Sequence, residues 1–132
     1  MIAVLFACVH NAGRSQMAAA FFNALADPSR ARAISAGTQP AAHVHPEVIA
    51  VMREVGVDLT GATPQYLTDE LARSVQVLVT MGCGEQCPIV PGVKRVDWEL
   101  PDPKGQSLDR VRAIRDDIKH RVSDLLDEEG LR

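Results

Sequence analysis

The apolar and polar positions of this chain follow two rhythms in alternation. Ile2 to Ala7 is an unbroken apolar run, the mark of a strand buried on both faces of a parallel sheet. From Gln16 to Leu25 the spacing changes, and Met17, Phe21, Ala24 and Leu25 recur at helical intervals. Ala26 to Ser29 breaks that pattern with a turn, and Ala33 to Ala36 reads as a short second strand stopped by Gly37. Gln39 to His45 is a loop, and Pro46 opens a second helix in its favoured first-turn position. Val48, Val51, Met52 and Val55 form the apolar stripe of that helix, and Gly56 stops it. Leu59 to Thr68 is a linking loop, followed by a short helix over Asp69 to Arg73. Val75 to Met81 is the clearest later strand, and Val93 to Val96 is a fourth. Trp98 to Gly105 is rich in turn residues. The last helix starts at about Ser107, a good N-cap, and turns Val111, Ile114, Ile118, Val122 and Leu125 to the core. Strand–helix alternation with no repeat, low-complexity tract or internal linker predicts a single α/β domain over residues 1–132. Its expected architecture is a doubly wound, four-stranded parallel sheet with right-handed crossovers and helices on both faces.

The chemistry concentrates where the first strand hands over to the first helix, in Cys8-Val9-His10-Asn11-Ala12-Gly13-Arg14-Ser15. A lone cysteine after an apolar strand is ordinarily a small buried hydrophobe. Here it opens a short strand–loop–helix connection carrying a glycine and an arginine. Backbone N–H groups over His10, Asn11, Ala12, Gly13, Arg14 and Ser15 can converge on an oxyanion, and the helix N-terminus adds favourable partial charge. Arg14 can grip two oxygens of the same anion. The same field favours a thiolate at the loop's start, which makes Cys8 the candidate nucleophile. Gly13 suits a tightly curled loop, and Asn11 tolerates left-handed geometry and can hold the curl by side-chain hydrogen bonds. Ser15 is expected to cap the helix and to offer its hydroxyl to the Cys8 sulfur.

Composition narrows the partners. At 132 residues, with 46% hydrophobic and 23% charged content, the chain has the make-up of a soluble globular protein. A net charge of −3 gives no basic field for nucleic acid or an anionic membrane, so any affinity for anions has to be local. The opening apolar run is too short for a signal segment and no stretch has transmembrane length, so a cytoplasmic location is expected. Three cysteines argue for reactive thiols over a disulfide framework. Metal binding is not expected: His43 and His45 have no ligand partner nearby in sequence, and Cys83 and Cys87 are spaced C-x-x-x-C with no second pair.

The Cys8–Ala18 stretch, Ser35-Ala36-Gly37-Thr38 and Val79-Thr80-Met81-Gly82-Cys83 together resemble the low-molecular-weight protein tyrosine phosphatases, and more closely the arsenate reductases that share their fold. The resemblance covers nearly the whole chain. It implies that Ser35–Thr38 lies near the anion loop and that Asp102, in Asp102-Pro103, is the general acid that protonates the departing oxygen. Phosphatases of this fold follow the Asp-Pro with an aromatic wall. Here Lys104 follows, and the chain holds one Trp, one Tyr and three Phe, so a small inorganic oxyanion suits the site better than an aryl phosphate. Phosphate and sulfate are expected to mimic arsenate.

The resemblance also implies a redox sequence with no bound cofactor. Cys8 attacks arsenate, a second thiol resolves the adduct, and an external thiol reductant regenerates the enzyme. In the thioredoxin-coupled branch Cys83 is the second thiol and Cys87 the third. That branch usually carries a longer gap between those two than the three residues here. In a related branch mycothiol attacks the adduct and a mycoredoxin resolves the mixed disulfide, so that only Cys8 is essential. Both branches stay open on the sequence. So do two other activities of the same loop: hydrolysis of phosphomonoesters, and a non-catalytic redox or oxyanion sensor.

Overall fold

The computed structural model describes residues 1–82 and 87–132. Eight elements follow one another: β1 (Ile2–Cys8), α1 (Arg14–Leu25), β2 (Ala31–Gly37), α2 (Pro46–Glu54), α3 (Asp69–Arg73), β3 (Val77–Thr80), β4 (Lys94–Asp97) and α4 (Leu108–Glu129). The strands form one sheet in the order β2-β1-β3-β4, and every neighbouring pair is parallel. The expected four-stranded α/β architecture is therefore present, with helices on both faces. Alternate residues of β1 divide the interior. Val4, Phe6 and Cys8 face a large core shared with α1, α2 and α4, while Leu5 and Ala7 face a smaller one closed by Ala72 of α3. The rings of Phe22 and Trp98 pack on Phe6 with centroids 5.9 and 5.8 Å away.

Element ends shift for physical reasons. The second strand is longer than its apolar run because Ala31 and Gly37 complete the ladder against Ile2 and Cys8. The third is shorter: Val75 and Met81 are buried, yet only Val77–Thr80 pairs with β1 and β4. Ser107 does cap α4, accepting from the Arg110 N–H, and Thr68 caps α3 in the same way. The helix α4 ends at Gly130, in the left-handed region at φ 67°, which returns the Leu131 N–H to Leu126 O. Among the described residues no helix is long and apolar enough to cross a membrane.

The connectivity decides where chemistry can occur. The chain leaves β1 toward β2 on one side and later returns to β3 on the other. The loops after β1 and β3 therefore diverge at the carboxyl edge, at the switch point where open α/β sheets bind ligands. Cys8 is the last residue of β1 and stands at that point.

Candidate active site

The loop between β1 and α1 curls through Asn11, whose φ of 51° is the positive value among the non-glycine residues described. That turn brings the loop back over Cys8. The Asn11 N–H points at the Cys8 sulfur from 3.3 Å, and the Ser15 hydroxyl oxygen lies 2.8 Å from the same atom. Cys8 is buried, and its sulfur has these two polar partners. Ser15 is not the helix cap expected from its position. The helix starts earlier, with Gly13 as N-cap and the Met17 N–H closing the first turn on Gly13 O, and no side chain caps it. Ser15 is then inside the first turn, and its hydroxyl is free for the thiol.

This uncapped start leaves donors. Ala12 and Gly13 are buried, and among the described residues no acceptor meets their N–H groups. Buried backbone donors without a partner are rare in folded proteins, and an oxyanion over the loop satisfies them together with the first-turn N–H groups of α1. The loop is held from below by His45, whose N–H donates to Ala12 O at 2.9 Å, and by the β2 end, where the Thr38 N–H donates to Cys8 O at 3.2 Å. The resemblance placed Ser35–Thr38 beside the loop, and the packing agrees: a Cβ on Gly37 would fall 2.6 Å from Val9 O. His10 lies at the rim, its ring Nδ1 3.1 Å from Gln39 O.

Arg14 is the buried cation of the site, with 7% of its surface exposed. One amino group donates to Leu100 O at 3.1 Å, and the other stands 3.9 Å from Asp102 Oδ2. Gly82 lies flat against the guanidinium, where a Cβ would sit 2.4 Å from Nη1. Asp102 is half exposed, and its Oδ1 accepts the Lys104 N–H at 3.0 Å, a turn that holds the carboxylate in place. Pro103 packs on Gly13 so closely that a Cβ there would come within 2.6 Å of its Cγ. The general-acid candidate is thereby docked on the anion loop, although 86 residues separate Arg14 from Leu100.

Gly82 and Leu100, which touch Arg14, also line a cleft of about 390 Å³ together with Thr80, Asp97 and Trp98. The Thr80 hydroxyl donates to Asp97, and with Arg95 it holds that carboxyl below the ordinary aspartate range. Cys87 follows Gly84-Glu85-Gln86, polar residues that by sequence read as an open loop, yet it is 2% exposed and shares the smaller core with Leu5, Ala7 and Leu78. Cys83 lies outside the described residues.

Residues 3–131 match the family described as low molecular weight phosphotyrosine protein phosphatase. The chain belongs to that family. A Halobacterium salinarum protein provisionally named an arsenate reductase is 44% identical over 131 residues, spanning 93% of this chain and 89% of the relative. A glutaredoxin arsenate reductase of Synechocystis is 36% identical over 93% of this chain and 95% of its own length. Among solved structures, a thioredoxin-dependent arsenate reductase of Corynebacterium glutamicum superposes with a TM-score of 0.85 at 40% identity over 97% of this chain. The present chain spans 61% of that protein's length. An arsenate reductase in its phosphate-binding state gives a TM-score of 0.84 at 35% identity, covering 97% of this chain and 98% of the other.

Sequence reasoning missed several parts of the site. Gln16, Leu100 and the Gln65 N–H all support it, and Gly82 shapes it. Gln16 carried one usable signal, being a polar side chain among the apolar residues of α1.

Proposed function

We infer that the protein is an arsenate reductase, which converts arsenate to arsenite through a covalent adduct on Cys8 and an external thiol reductant. The observation that carries the reading is the buried Cys8 sulfur with two hydrogen-bonding groups on it, at the start of the loop that holds the unpartnered Ala12 and Gly13 N–H groups and leads into Arg14. The names of relatives that match nearly the full chain support the substrate.

Arsenate binds across the loop N–H groups, with Arg14 on two of its oxygens. The Cys8 thiolate attacks arsenic, and an arsenate oxygen leaves as water with a proton from Asp102. A second thiolate then attacks the Cys8 sulfur. The sulfur–arsenic bond breaks, its electron pair stays on arsenic, and arsenite departs as arsenic falls from the +5 to the +3 state. Cys8 is left oxidised in a disulfide, and a dithiol reductant restores it by exchange. The second thiol is Cys83 with Cys87 as the third, served by thioredoxin, or it is mycothiol, served by mycoredoxin. The burial of Cys87 bears on this choice, because a third thiol has to reach the surface to pass its disulfide on.

The test is arsenite release by wild type and by Cys8→Ser, Cys83→Ser and Cys87→Ser, each with thioredoxin plus its reductase and with mycothiol plus mycoredoxin. Loss in all three variants with thioredoxin establishes the relay. Loss in Cys8→Ser alone, with mycothiol required, establishes the single-cysteine route. No arsenite under either condition overturns the assignment and leaves phosphomonoester hydrolysis.

A further inference from the structure

The Cys8–Ser15 contact has a direction, and the groups that set it lie outside the loop. Asn11 Oδ1 accepts the Gln65 backbone N–H at 2.9 Å. That N–H can only donate, so the oxygen end of the Asn11 amide has to face it. Gln16 is buried, and its Nε2 lies 3.1 Å from Asn11 O, 3.2 Å from Asn11 Oδ1 and 3.4 Å from Thr63 O. Two of those partners are backbone carbonyls, which can only accept, so the Gln16 amide has to present its nitrogen. Both constraints leave the Asn11 nitrogen pointing the other way, at Ser15 Oγ, 2.7 Å distant. Ser15 Oγ therefore receives a hydrogen, and its own proton is directed at the Cys8 sulfur, 2.8 Å away.

We propose that Gln16 is a positioning residue, whose amide fixes the orientation of Asn11 and thereby makes the Ser15 hydroxyl a donor to the Cys8 thiolate. Donors run in one direction, from Gln16 to Asn11 to Ser15 to sulfur. The inference deepens the reading of Cys8 as nucleophile and rests on it. Gln16 also joins Thr63 to the anion loop, and its two contacts on Asn11 help to hold that residue at its left-handed φ of 51°. Without the Gln16 nitrogen, Asn11 O and Oδ1 lose a buried donor, the Gln65 N–H is left as the single restraint on the amide, and the turned orientation, with oxygen toward Ser15, gains population. The hydroxyl proton then satisfies that oxygen, and the sulfur loses a donor.

The experiment is the rate of Cys8 alkylation by iodoacetamide from pH 5 to pH 10, in the Cys83→Ser, Cys87→Ser background so that one thiol is read. Gln16→Met keeps the volume and removes the donor. At pH 6 it should react about three- to tenfold more slowly, and the rates should converge near pH 10, where every thiol is ionised. Ser15→Ala should show the same deficit, and adding Gln16→Met to it should cost nothing more. A deficit that persists at pH 10, or that adds to Ser15→Ala, overturns the proposal, as does an unchanged rate at pH 6. Should Gln16→Met not fold, Gln16→Glu carries the test: a carboxylate facing three oxygens should give at least the same deficit, and an unchanged rate overturns the proposal. Alkylation needs no turnover, so absence of arsenite in wild type would strike the functional reading and leave this test intact.

Discussion

Gly82→Ala separates the work of Arg14 from the rest of the site. The new Cβ would stand 2.4 Å from Arg14 Nη1, about 1 Å inside ordinary van der Waals contact. Backbone at φ 89° resists the adjustment, and a side chain there costs roughly 1–2 kcal/mol by itself. Arg14 has to yield, and a shift of about 1 Å takes Nη1 out of hydrogen-bond range of Leu100 O, which it now meets at 3.1 Å. A hydrogen bond from a charged group contributes about 1.5–3 kcal/mol, so kcat/KM for arsenate should fall roughly 10- to 100-fold. Gly56→Ala is the control, since Gly56 has nearly the same φ, 80°, and nothing within 4 Å of the added carbon. Both variants should lose thermal stability to the strained backbone, Gly82→Ala the more for its broken Arg14 contact, and Gly82→Ala alone should lose anion affinity. Protection of Cys8 from iodoacetamide by phosphate reads that affinity without turnover. If Gly82→Ala is protected by phosphate as well as Gly56→Ala and keeps its kcat/KM within twofold, the guanidinium does not need the position seen here, and the argument fails.

Asp102→Asn should lower kcat about 100-fold or more in arsenite release while phosphate still protects Cys8, because in the proposed mechanism the carboxylate, 3.9 Å from Arg14, gives a proton to the leaving oxygen and does not hold the anion. Gly37→Ala drives a carbon to 2.6 Å from Val9 O and 2.9 Å from Asn11 N, both backbone, and should destabilise by about 1–3 kcal/mol in urea titration; an unchanged midpoint would show that β2 does not support the loop as described. Glu54 accepts from Arg112 and Arg115 across the α2–α4 contact, and the Arg112 hydrogen bonds foremost bring its carboxyl down from 4.5 to about 2. A depressed folded value means stabilisation that is complete above about pH 4.5 and lost as the pH falls toward 2. The gap in urea midpoint between wild type and Glu54→Gln should therefore be widest above pH 5 and shrink steadily below 4.5, and a gap independent of pH would remove the ion pair as its cause.

The parts of this molecule that were legible in its sequence are those written in side chains. The apolar run of β1, the stripe of α4 and the Cys8–Ser15 string name an element or a chemistry by residue type, and each lies where the pattern put it. Run length proved a poorer guide to strand length, because hydrophobicity reports burial and not pairing. Val75 is as buried as the strand it precedes but lies outside its ladder. Cys87 shows the converse error, since its polar neighbours hid a side chain that packs with Leu5 and Leu78.

What could not be read is the support of the site, and the reason is chemical. Arg14 is held by the carbonyl of Leu100, Asn11 by the N–H of Gln65 and Ala12 by the N–H of His45. Every residue type offers that carbonyl, and every type but proline offers that N–H, so the identities of Leu100, Gln65 and His45 carry no trace of the work their backbones do. The glycines are informative only in the opposite sense. Gly13, Gly37 and Gly82 mark places where Pro103, Val9 and Arg14 come too close for any Cβ, and the contact partner is invisible until the chain is folded. A loop of this kind is therefore announced by few residues and built by many. Substitutions at Gln16 or Gly82 should damage the chemistry of Cys8 although neither side chain carries a reacting atom.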